Sequence, residues 1–399
     1  MQLLSDSELR GEFANWANYM RRALDLAAQV IATHPNPRVG CVLVQEEEVV
    51  AEGWHIAAGE AHAEVMALQA AGERARGSTA FITLEPCSHT GKTGPCTDAL
   101  IKAGVHCVVI AGEDPNPEVA GAGVRQLEEA DIEVFLLTGF TAAAETLNKG
   151  FLKRHRQGLP FVRCKLAMSL DGRTALANGE SKWITDKAAR SDVQRLRAAS
   201  SAIITGIDTV LADNPALTVR KDELVLNPPE QEANRLLLEQ QPMRVILDTK
   251  LRTPVDARIL QGNSPVRIYC GEGAEGNVQQ EAKQNAKQKK FPANVQICPL
   301  PLKDGRLPLP AVLESLARDT ECNDVLIETG PVLAGAFMAA ELIDELIVYI
   351  APKLLGSDSR PLMQLTGLTQ MAEAQQFKFT EVSHLDDGDI KLIATPNKD

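Results

Sequence analysis

Apolar positions in the first 140 residues alternate between helical and strand-like spacing. From Trp16 to Ile31 they recur every three or four residues, which predicts an amphipathic helix. The segment His34-Pro35-Asn36-Pro37 ends it, since proline disfavours helix in the residue before it. Apolar runs then predict strands at 40–44, 49–51, 79–84, 105–110 and 132–136, and helices near 62–71, 96–103 and 121–130. This order predicts a sheet between helices, an α/β fold.

A second α/β series follows a basic, polar stretch at 151–158. That stretch precedes Pro160 and is typical of a connector, so we predict two domains, over 1–152 and 158–399. Beyond it the pattern predicts strands near 161–167, 201–205, 243–247, 266–270 and 324–328, helices near 186–199 and 332–341, and late strands at 346–350 and 377–382. The polar stretch 272–292 is expected to be an exposed helix or loop.

Composition narrows the class of protein. A chain of 399 residues is long enough for two or three domains. Its formal net charge of −12 argues against a protein that follows a nucleic-acid backbone, which needs a basic face. We see no secretory signal and no apolar run of the ~18 residues that span a bilayer. The eight cysteines follow no disulfide-scaffold spacing, so a reduced, cytoplasmic protein is expected.

One motif carries metal chemistry. His62-Ala63-Glu64 is followed by Pro86-Cys87, and Cys96 lies nine residues after Cys87. One imidazole and two thiolates supply three ligands for tetrahedral Zn²⁺ and leave the fourth position for water, whose pKa the metal lowers to about 7. Glu64 is placed to carry a proton between that water and a leaving amine. The pattern is that of the zinc nucleobase deaminases, although the spacing between the cysteines is wider here.

The ligands coincide with predicted helix starts. His62 opens one helix, and Cys96 follows Pro95, a residue favoured at the first helical position. A thiolate there is stabilised by the positive end of the helix dipole. Two alternatives stay open: these are unrelated capping residues, or His89 is a fourth ligand and the zinc is structural.

The second half shows a weaker signal. A glycine-containing turn, 330–336, leads from an apolar strand into a helix, where backbone N–H groups can bind phosphate or the glycines merely end the strand. It does not match G-x-G-x-x-G. Arg197 and Arg220 could bind phosphate or be solvated. These residues alone predict an α/β domain with an anion site and do not define its reaction.

Taken together, the motifs resemble the bifunctional deaminase/reductase family of riboflavin biosynthesis. The widened loop between the cysteines is characteristic of that family and not of cytidine or transfer-RNA deaminases. In the first half the resemblance rests on the zinc motif and on segments 35–41, 85–96 and 114–121. In the second half it rests on Lys165, Ser169–Arg173, Ser181, Trp183–Thr185, Thr209-Val210, Asp213, Arg220, Glu328, Gly330-Pro331 and Pro352–Gly356.

The resemblance implies two reactions on one phosphoribosyl pyrimidine. A cytidine-deaminase-like α/β/α domain would use Zn²⁺ to remove an exocyclic amine. A dihydrofolate-reductase-like α/β domain would then use NADPH to reduce the ribosylamino group to ribitylamino. The expected partner is this small substrate, with no nucleic acid and no membrane, and the family leads us to expect a homodimer or tetramer. A zinc deaminase acting on a free nucleoside or on transfer RNA is the rival interpretation, and it predicts no reductase half.

Residue roles are carried over by position. The resemblance implies His62, Cys87 and Cys96 as zinc ligands and Glu64 as the catalytic proton shuttle. The implied substrate contacts are Asn36, His55, Lys92 (for the phosphate), Ser181, Arg197, Leu217, Arg220 and Glu328. The implied cofactor contacts are Ala167, Trp183, Thr209, Asp213, Thr249, Gly330, Pro331, Val332, Leu333, Ala334, Gly335 and Ala336. Trp183 could instead be mainly a packing residue, and Lys250 and Arg252 could meet a 2′-phosphate.

Overall fold

The computed structural model describes residues 1–89, 94–116, 120–274 and 290–397. The chain folds into two compact units. The first comprises Met1–Gly158 together with Leu226–Glu239, and the second comprises Leu159–Val225 together with the chain from Gln240 onward. In the described part of the chain, no helix combines the length and the apolar character needed to cross a membrane.

The first unit contains one mixed sheet. Its described strands are β1 (Gln2–Leu4), β2 (Gly40–Gln45), β3 (Glu48–Trp54), β4 (Thr79–Ile82), β5 (Cys107–Ile110) and β6 (Glu133–Leu137). They lie in the order β1-β6-β5-β4-β2-β3. The first four in this order are mutually parallel, whereas β2 runs antiparallel to both β4 and β3.

Helices cover both faces of this sheet. They are α1 (Trp16–Gln29), α2 (Ala63–Ala71), α3 (Cys96–Ala103), α4 (Ala122–Glu129), α5 (Thr141–Leu147) and α6 (Lys149–Gln157). On one face α2, α3 and α4 bury Ala67, Leu100 and Leu127 against the strands, and on the other α1 and α5 bury Met20 and Ala144. The predicted α/β/α layering of this half is confirmed.

The second unit is built on a larger sheet. Its described strands are β7 (Phe161–Ser169), β8 (Arg173–Ala175), β9 (Ala202–Gly206), β10 (Met243–Leu247), β11 (Val266–Gly271), β12 (Val295–Leu300), β13 (Asp324–Ile327), β14 (Glu345–Ala351), β15 (Arg360–Pro361), β16 (Phe377–His384) and β17 (Ile390–Pro396). The main sheet has the order β12-β11-β10-β9-β13-β7-β14-β17-β16, and β8 pairs with β15. It is parallel from β12 to β14 and antiparallel from β14 to β16.

The remaining helices of the described residues are α7 (Lys187–Ala198), α8 (Ile207–Asp213), α9 (Pro228–Ala233), α10 (Leu309–Thr320) and α11 (Pro331–Ala339). In the second unit, α10 and α11 bury Leu316 and Phe337 on one face of the sheet. The opposite face is covered by α8 and α7 through Val210 and Val193. The predicted α/β class is therefore confirmed for this half as well. Short 3₁₀ helices lie at Asp6–Glu8, Gly11–Phe13, Gly72–Ala75, Thr138–Phe140, Leu237–Glu239, Arg258–Leu260 and Met371–Glu373.

The prediction that residues 151–158 form a connector is wrong for the local structure of this segment. The segment is the end of α6, and Phe151 and Leu152 are buried. Its basic residues occupy the last turn, where the helix dipole favours positive charge, and Gly158 ends the helix in the left-handed conformation. The centre of the polar stretch 272–292 lies outside the described residues.

The segment 226–239 leaves the second half of the sequence to join the first unit. Asn227 caps α9 by accepting a hydrogen bond from Glu230 N. The buried Asn234 amide then accepts from Ile31 N at 2.7 Å and donates to Gln29 O at 2.7 Å. The end of α1 is thus closed by residues about 200 positions later in the chain.

Candidate active sites

The three predicted metal ligands converge in the first unit. His62 immediately precedes α2, Cys96 is the first residue of α3, and Cys87 lies in the loop after β4. The distance from His62 Nδ1 is 3.2 Å to Cys96 Sγ and 3.6 Å to Cys87 Sγ. Ligands bonded to tetrahedral zinc at about 2.0–2.3 Å lie roughly 3.5 Å from one another. Both the donor types and their spacing fit Zn²⁺.

Close backbone packing places these ligands. A Cβ atom on Gly53 of β3 would collide with Ala63 O, so glycine allows the start of α2 to approach the sheet. Cys96 N donates to Cys87 Sγ at 3.4 Å. A free N–H group at a helix start thereby helps to stabilise negative charge on the Cys87 sulfur.

Glu64 lies beside this cluster, in the first turn of α2, and its side chain is buried. Burial raises the pKa of Glu64 to about 7, and negative charge on Cys87 acts in the same direction. A carboxyl group with a pKa near neutrality can both accept and release a proton, as general acid–base catalysis requires.

Asn36 and His55, two of the predicted substrate contacts, adjoin the cluster. Asn36 Nδ2 is 3.0 Å from His55 Nε2, and His55 Nδ1 is 3.1 Å from Ala61 O. Burial lowers the pKa of His55 to about 4, so the ring is neutral, with Nδ1–H donating to Ala61 O and Nε2 accepting from Asn36. The ring centroids of His55 and His62 are 5.1 Å apart. Lys92 lies outside the described residues.

In the second unit, five of the predicted residues lie at one edge of the sheet. Strands β10, β9, β13 and β7 are parallel neighbours, so their carboxyl ends meet at this edge. The predicted residues on or just after these ends are Thr249, Thr209, Glu328, Gly330 and Ala167. The carboxyl ends of parallel strands form the usual ligand crevice of an open α/β sheet.

A largely buried ion pair lies at this edge, with the Arg197 and Glu328 side chains 13% and 11% exposed. Arg197 of α7 donates to Glu328 through Nε at 2.6 Å and Nη2 at 3.0 Å, and through Nη1 to Thr218 O. Its charge lowers the pKa of Glu328 against the opposing effect of burial. Lys165, to which the sequence analysis gave no role, is close enough that the charges of both residues act on it. Burial lowers the pKa of Lys165, and the negative charge of Glu328 opposes that shift.

Three segments of the second half, Ser169–Arg173, Trp183–Thr185 and Pro352–Gly356, meet around Trp183. Trp183 is 61% exposed. Lys353 Nζ donates to Trp183 O at 3.2 Å and to Ile184 O at 2.7 Å. Asp171 accepts from the backbone N–H of Gly356 at 2.8 Å. Sequence reasoning assigned no role to Lys353 or Asp171, and only the family resemblance of their segments indicated them.

The turn 330–336 has an open start and a packed end. Gly330 precedes α11, and a Cβ atom on it would lie 4.0 Å from Thr209 Oγ1. Val332 is exposed, whereas Ala334 is wholly buried, and a Cβ atom on Gly335 would collide with Gln364 O.

The other predicted residues of the second unit lie in loops or at helix ends. Asp213 is exposed at the end of α8, and Leu217 is buried with a φ of +49°. Arg220 pairs with Glu223 at 2.8 Å. Half-buried positions of the predicted set also include Ser181, Pro331, Leu333 and Ala336.

The metal cluster is that of a zinc-dependent deaminase unit, and the strand-end crevice is that of a ligand-binding α/β unit. Comparison with known families gives the same division. Residues 14–112 match the family described as the cytidine and deoxycytidylate deaminase zinc-binding region. Residues 160–390 match the family described as the RibD C-terminal domain.

Relatives match nearly the whole chain. The riboflavin biosynthesis protein RibD of Escherichia coli K12 is 49% identical over 371 residues, covering 92% of this chain and 96% of that protein. The structure of Acinetobacter baumannii RibD (form 1) matches with a TM-score of 0.81 and 44% identity over 96% of this chain and 98% of that one. The Thermotoga maritima diaminohydroxyphosphoribosylaminopyrimidine deaminase/5-amino-6-(5-phosphoribosylamino)uracil reductase matches with a TM-score of 0.79 and 30% identity over 97% and 100%.

The chain belongs to the RibD family of riboflavin biosynthesis proteins. It is a bifunctional enzyme with a zinc-dependent deaminase and an NADPH-dependent reductase, so the predicted family, function and cofactors are confirmed. The rival interpretation without a reductase half is wrong, because that domain is present. Among the described residues, the group able to hold a metal comprises His62, Cys87 and Cys96, and His89 is exposed outside it.

Proposed function

We propose that the first unit releases ammonia from 2,5-diamino-6-(5-phosphoribosylamino)pyrimidin-4(3H)-one. The second unit then reduces 5-amino-6-(5-phosphoribosylamino)uracil to the ribitylamino compound. The observation that carries the first step is the convergence of one imidazole, two thiols and the buried Glu64 carboxyl. The choice of substrates is supported by the activities named for the Thermotoga maritima relative, which this chain matches along its full length.

In the deaminase unit, His62, Cys87 and Cys96 hold the zinc ion. A zinc ion held there would lower the pKa of a bound water molecule to about 7 and so would supply a nucleophile at neutral pH. The Glu64 carboxylate would accept a proton from the attacking water and would deliver it to the departing amine. Its raised pKa supports both directions of transfer.

Asn36, His55 and Lys92 bind the substrate in this unit. The neutral His55 ring accepts a hydrogen bond from the Asn36 amide and so orients that amide for the pyrimidine or the ribose. The Lys92 ammonium pairs with the phosphate group. The loop that separates the two cysteines thus serves to recognise a nucleotide.

In the reductase unit, Ser181, Arg197, Leu217, Arg220 and Glu328 contact the substrate. NADPH supplies the hydride when bound. The residues that would hold the cofactor are Ala167, Trp183, Thr209, Asp213, Thr249 and the turn Gly330 to Ala336. The Arg197 guanidinium holds Glu328 as an oriented carboxylate, which suits hydrogen bonding to sugar hydroxyl groups.

A two-stage assay tests this proposal. Zinc-loaded protein is incubated with the diaminopyrimidinone ribosyl phosphate while ammonia is measured, and NADPH is then added while its absorbance is followed. One equivalent of ammonia followed by NADPH oxidation is expected. Ammonia without oxidation would contradict the reductase assignment, and no ammonia from folded, zinc-loaded protein would contradict the deaminase assignment.

The domain limits 1–152 and 158–399 remain our proposal for the ranges that carry the two activities, with segment 226–239 packed into the first unit. The enzyme is proposed to act in the cytoplasm as a homodimer or homotetramer. Assembly is supported by the edge strand β16, on which Phe379 and Val382 are largely exposed. A reducing compartment suits a site that needs both thiols unoxidised. Sedimentation equilibrium should give two or four chains per particle, and a monomer would contradict the assembly.

A further inference from the structure

Glu85 is a buried carboxylate two residues before the zinc ligand Cys87, and it is only 3% exposed. Its Oε2 atom accepts from Gly121 N at 3.0 Å and from Asp114 N at 3.2 Å, and its Oε1 atom accepts from Val124 N at 3.2 Å. Asp114 and Gly121 belong to a segment, 114–121, that the family resemblance identified and for which the proposed function gives no role.

These contacts attach the Cys87 loop to α4. The carboxylate accepts hydrogen bonds from N–H groups at the start of that helix, where the helix dipole favours negative charge. Hydrogen bonds to a charged acceptor of this kind are stronger than those between neutral groups. A Cβ atom on Gly123 would collide with Pro86 O, so the helix packs directly on the loop backbone. Pro86 has a fixed φ, which stiffens the connection from Glu85 to Cys87.

The loop is held from its other side by α3. Thr97 N donates to Cys87 O at 3.2 Å, and Thr97 Oγ1 donates to Gln126 Oε1 of α4 at 2.7 Å. The backbone on both sides of the Cys87 sulfur is therefore fixed by groups that do not bind the metal themselves. Groups of this kind commonly set the affinity of a metal site.

We infer that Glu85 is a positioning residue that fixes Cys87 Sγ at its place in the zinc site. Segment 114–121 thereby gains a role, since two of its backbone N–H groups anchor Glu85. The inference rests on the proposed assignment of Cys87 as a ligand.

The test is zinc affinity, measured by competition with a chromophoric chelator on the full-length protein. Glu85→Gln keeps the shape of the side chain but replaces one acceptor oxygen with an NH₂ group that faces N–H donors. We expect its zinc dissociation constant to rise about 10- to 100-fold, and excess zinc to restore ammonia release. Glu129→Gln, the same charge change on the exposed end of α4, should bind zinc like the unmodified protein.

Unchanged zinc affinity in Glu85→Gln would overturn the inference, even if the melting temperature of the metal-free protein fell. If that variant does not fold, Glu85→Asp decides. The Asp side chain keeps the charge but is one methylene too short to accept all three hydrogen bonds. The Glu85→Asp protein should therefore bind zinc several-fold more weakly. A zinc affinity equal to that of the unmodified protein would again overturn the inference. Cys87→Ser tests the ligand assignment separately, because retained tight zinc binding there would contradict that assignment itself.

Discussion

The two active sites are built in different ways. In the deaminase unit, three side chains that come from two helix starts and one loop have their ligand atoms within 4.8 Å of one another. In the reductase unit, five of the predicted residues are spread along the carboxyl ends of four strands, and a largely buried Arg197–Glu328 pair is already formed there. A metal requires its ligands to converge, whereas a large cofactor contacts many backbone segments, each of them weakly.

Removal of zinc should give the largest difference between the two activities. Dialysis against a strong chelator is expected to abolish ammonia release, because the metal cluster lies within the first unit. NADPH oxidation with supplied deaminated intermediate should continue at its original rate. Added zinc should restore deamination, and equal loss of both activities would contradict independent sites.

Glu64→Gln should lower deamination about 10²- to 10⁴-fold, the usual contribution of a general acid–base group. Zinc content, measured by elemental analysis, and the reductase rate should be unchanged, because Glu64 is not one of the three converging ligands. Glu60→Gln, an exposed carboxyl just before α2, is the control and should remain active. Loss of zinc from Glu64→Gln would mean that this residue holds the metal.

Arg197→Met should remove reductase activity and lower the free energy of unfolding of the second unit by about 3–5 kcal/mol. The cause is that Glu328, whose side chain is only 11% exposed, is left charged without its ion-pair partner. Arg252→Met breaks the exposed Arg252–Asp208 pair of the same unit, and the expected cost is below about 1 kcal/mol. Urea unfolding measures the free energy of unfolding of both variants. Equal losses of unfolding free energy would contradict the conclusion that burial makes the Arg197–Glu328 pair important for stability.

Asn234→Leu should destabilise the first unit although residue 234 lies in the second half of the sequence. It leaves Ile31 N and Gln29 O without their present partner, at about 1–3 kcal/mol for each buried group. Gln231→Leu on the exposed side of α9 should cost little. Heat inactivation should remove ammonia release at a lower temperature in Asn234→Leu, while NADPH oxidation by the same sample keeps its original profile.

Trp183→Ala should have the smallest effect on stability, below about 1 kcal/mol, because the side chain is mostly exposed. If the ring contacts NADPH, the KM for NADPH should rise about fivefold, which corresponds to ~1 kcal/mol of aromatic contact. The reductase assay as a function of NADPH concentration measures this. An unchanged KM would leave Trp183 as a packing partner of Arg190, whose guanidinium lies 4.7 Å from the ring centroid.

Most of the long periodic elements were predicted from the sequence, but the 12-residue helix α10 was not, and several short elements were also missed. The helix predicted at 96–103 is α3, Cys96–Ala103, because its start signal and apolar spacing agree. Strand β1 and helices α5 and α8 were not predicted, since three to seven residues carry too little periodicity. The helical end of α6 was mistaken for a connector because its basic residues outnumber the two apolar ones that it buries.

The residues of the two active sites also differed in how far the sequence predicted them. Zinc chemistry followed from His62, Glu64 and the two cysteines, because metal ligands must be specific residue types. The reductase residues came only from family resemblance, because a turn such as 330–336 presents backbone rather than a chemical signature. The bonds of Glu85 and Asn234 join segments about 30 and 200 residues apart, and no local pattern encodes such a pairing.

The return of segment 226–239 to the first unit has a consequence for synthesis of the protein. When Gly158 has been added, the deaminase still lacks the helix that closes the end of α1, and that helix follows roughly 80 residues later. At a translation rate of about 5–20 residues per second, synthesis of this last segment of the deaminase unit is completed on the order of 4–16 s later. During that interval Ile31 N and Gln29 O lack their partner Asn234, so the deaminase is not complete until synthesis of the reductase has begun.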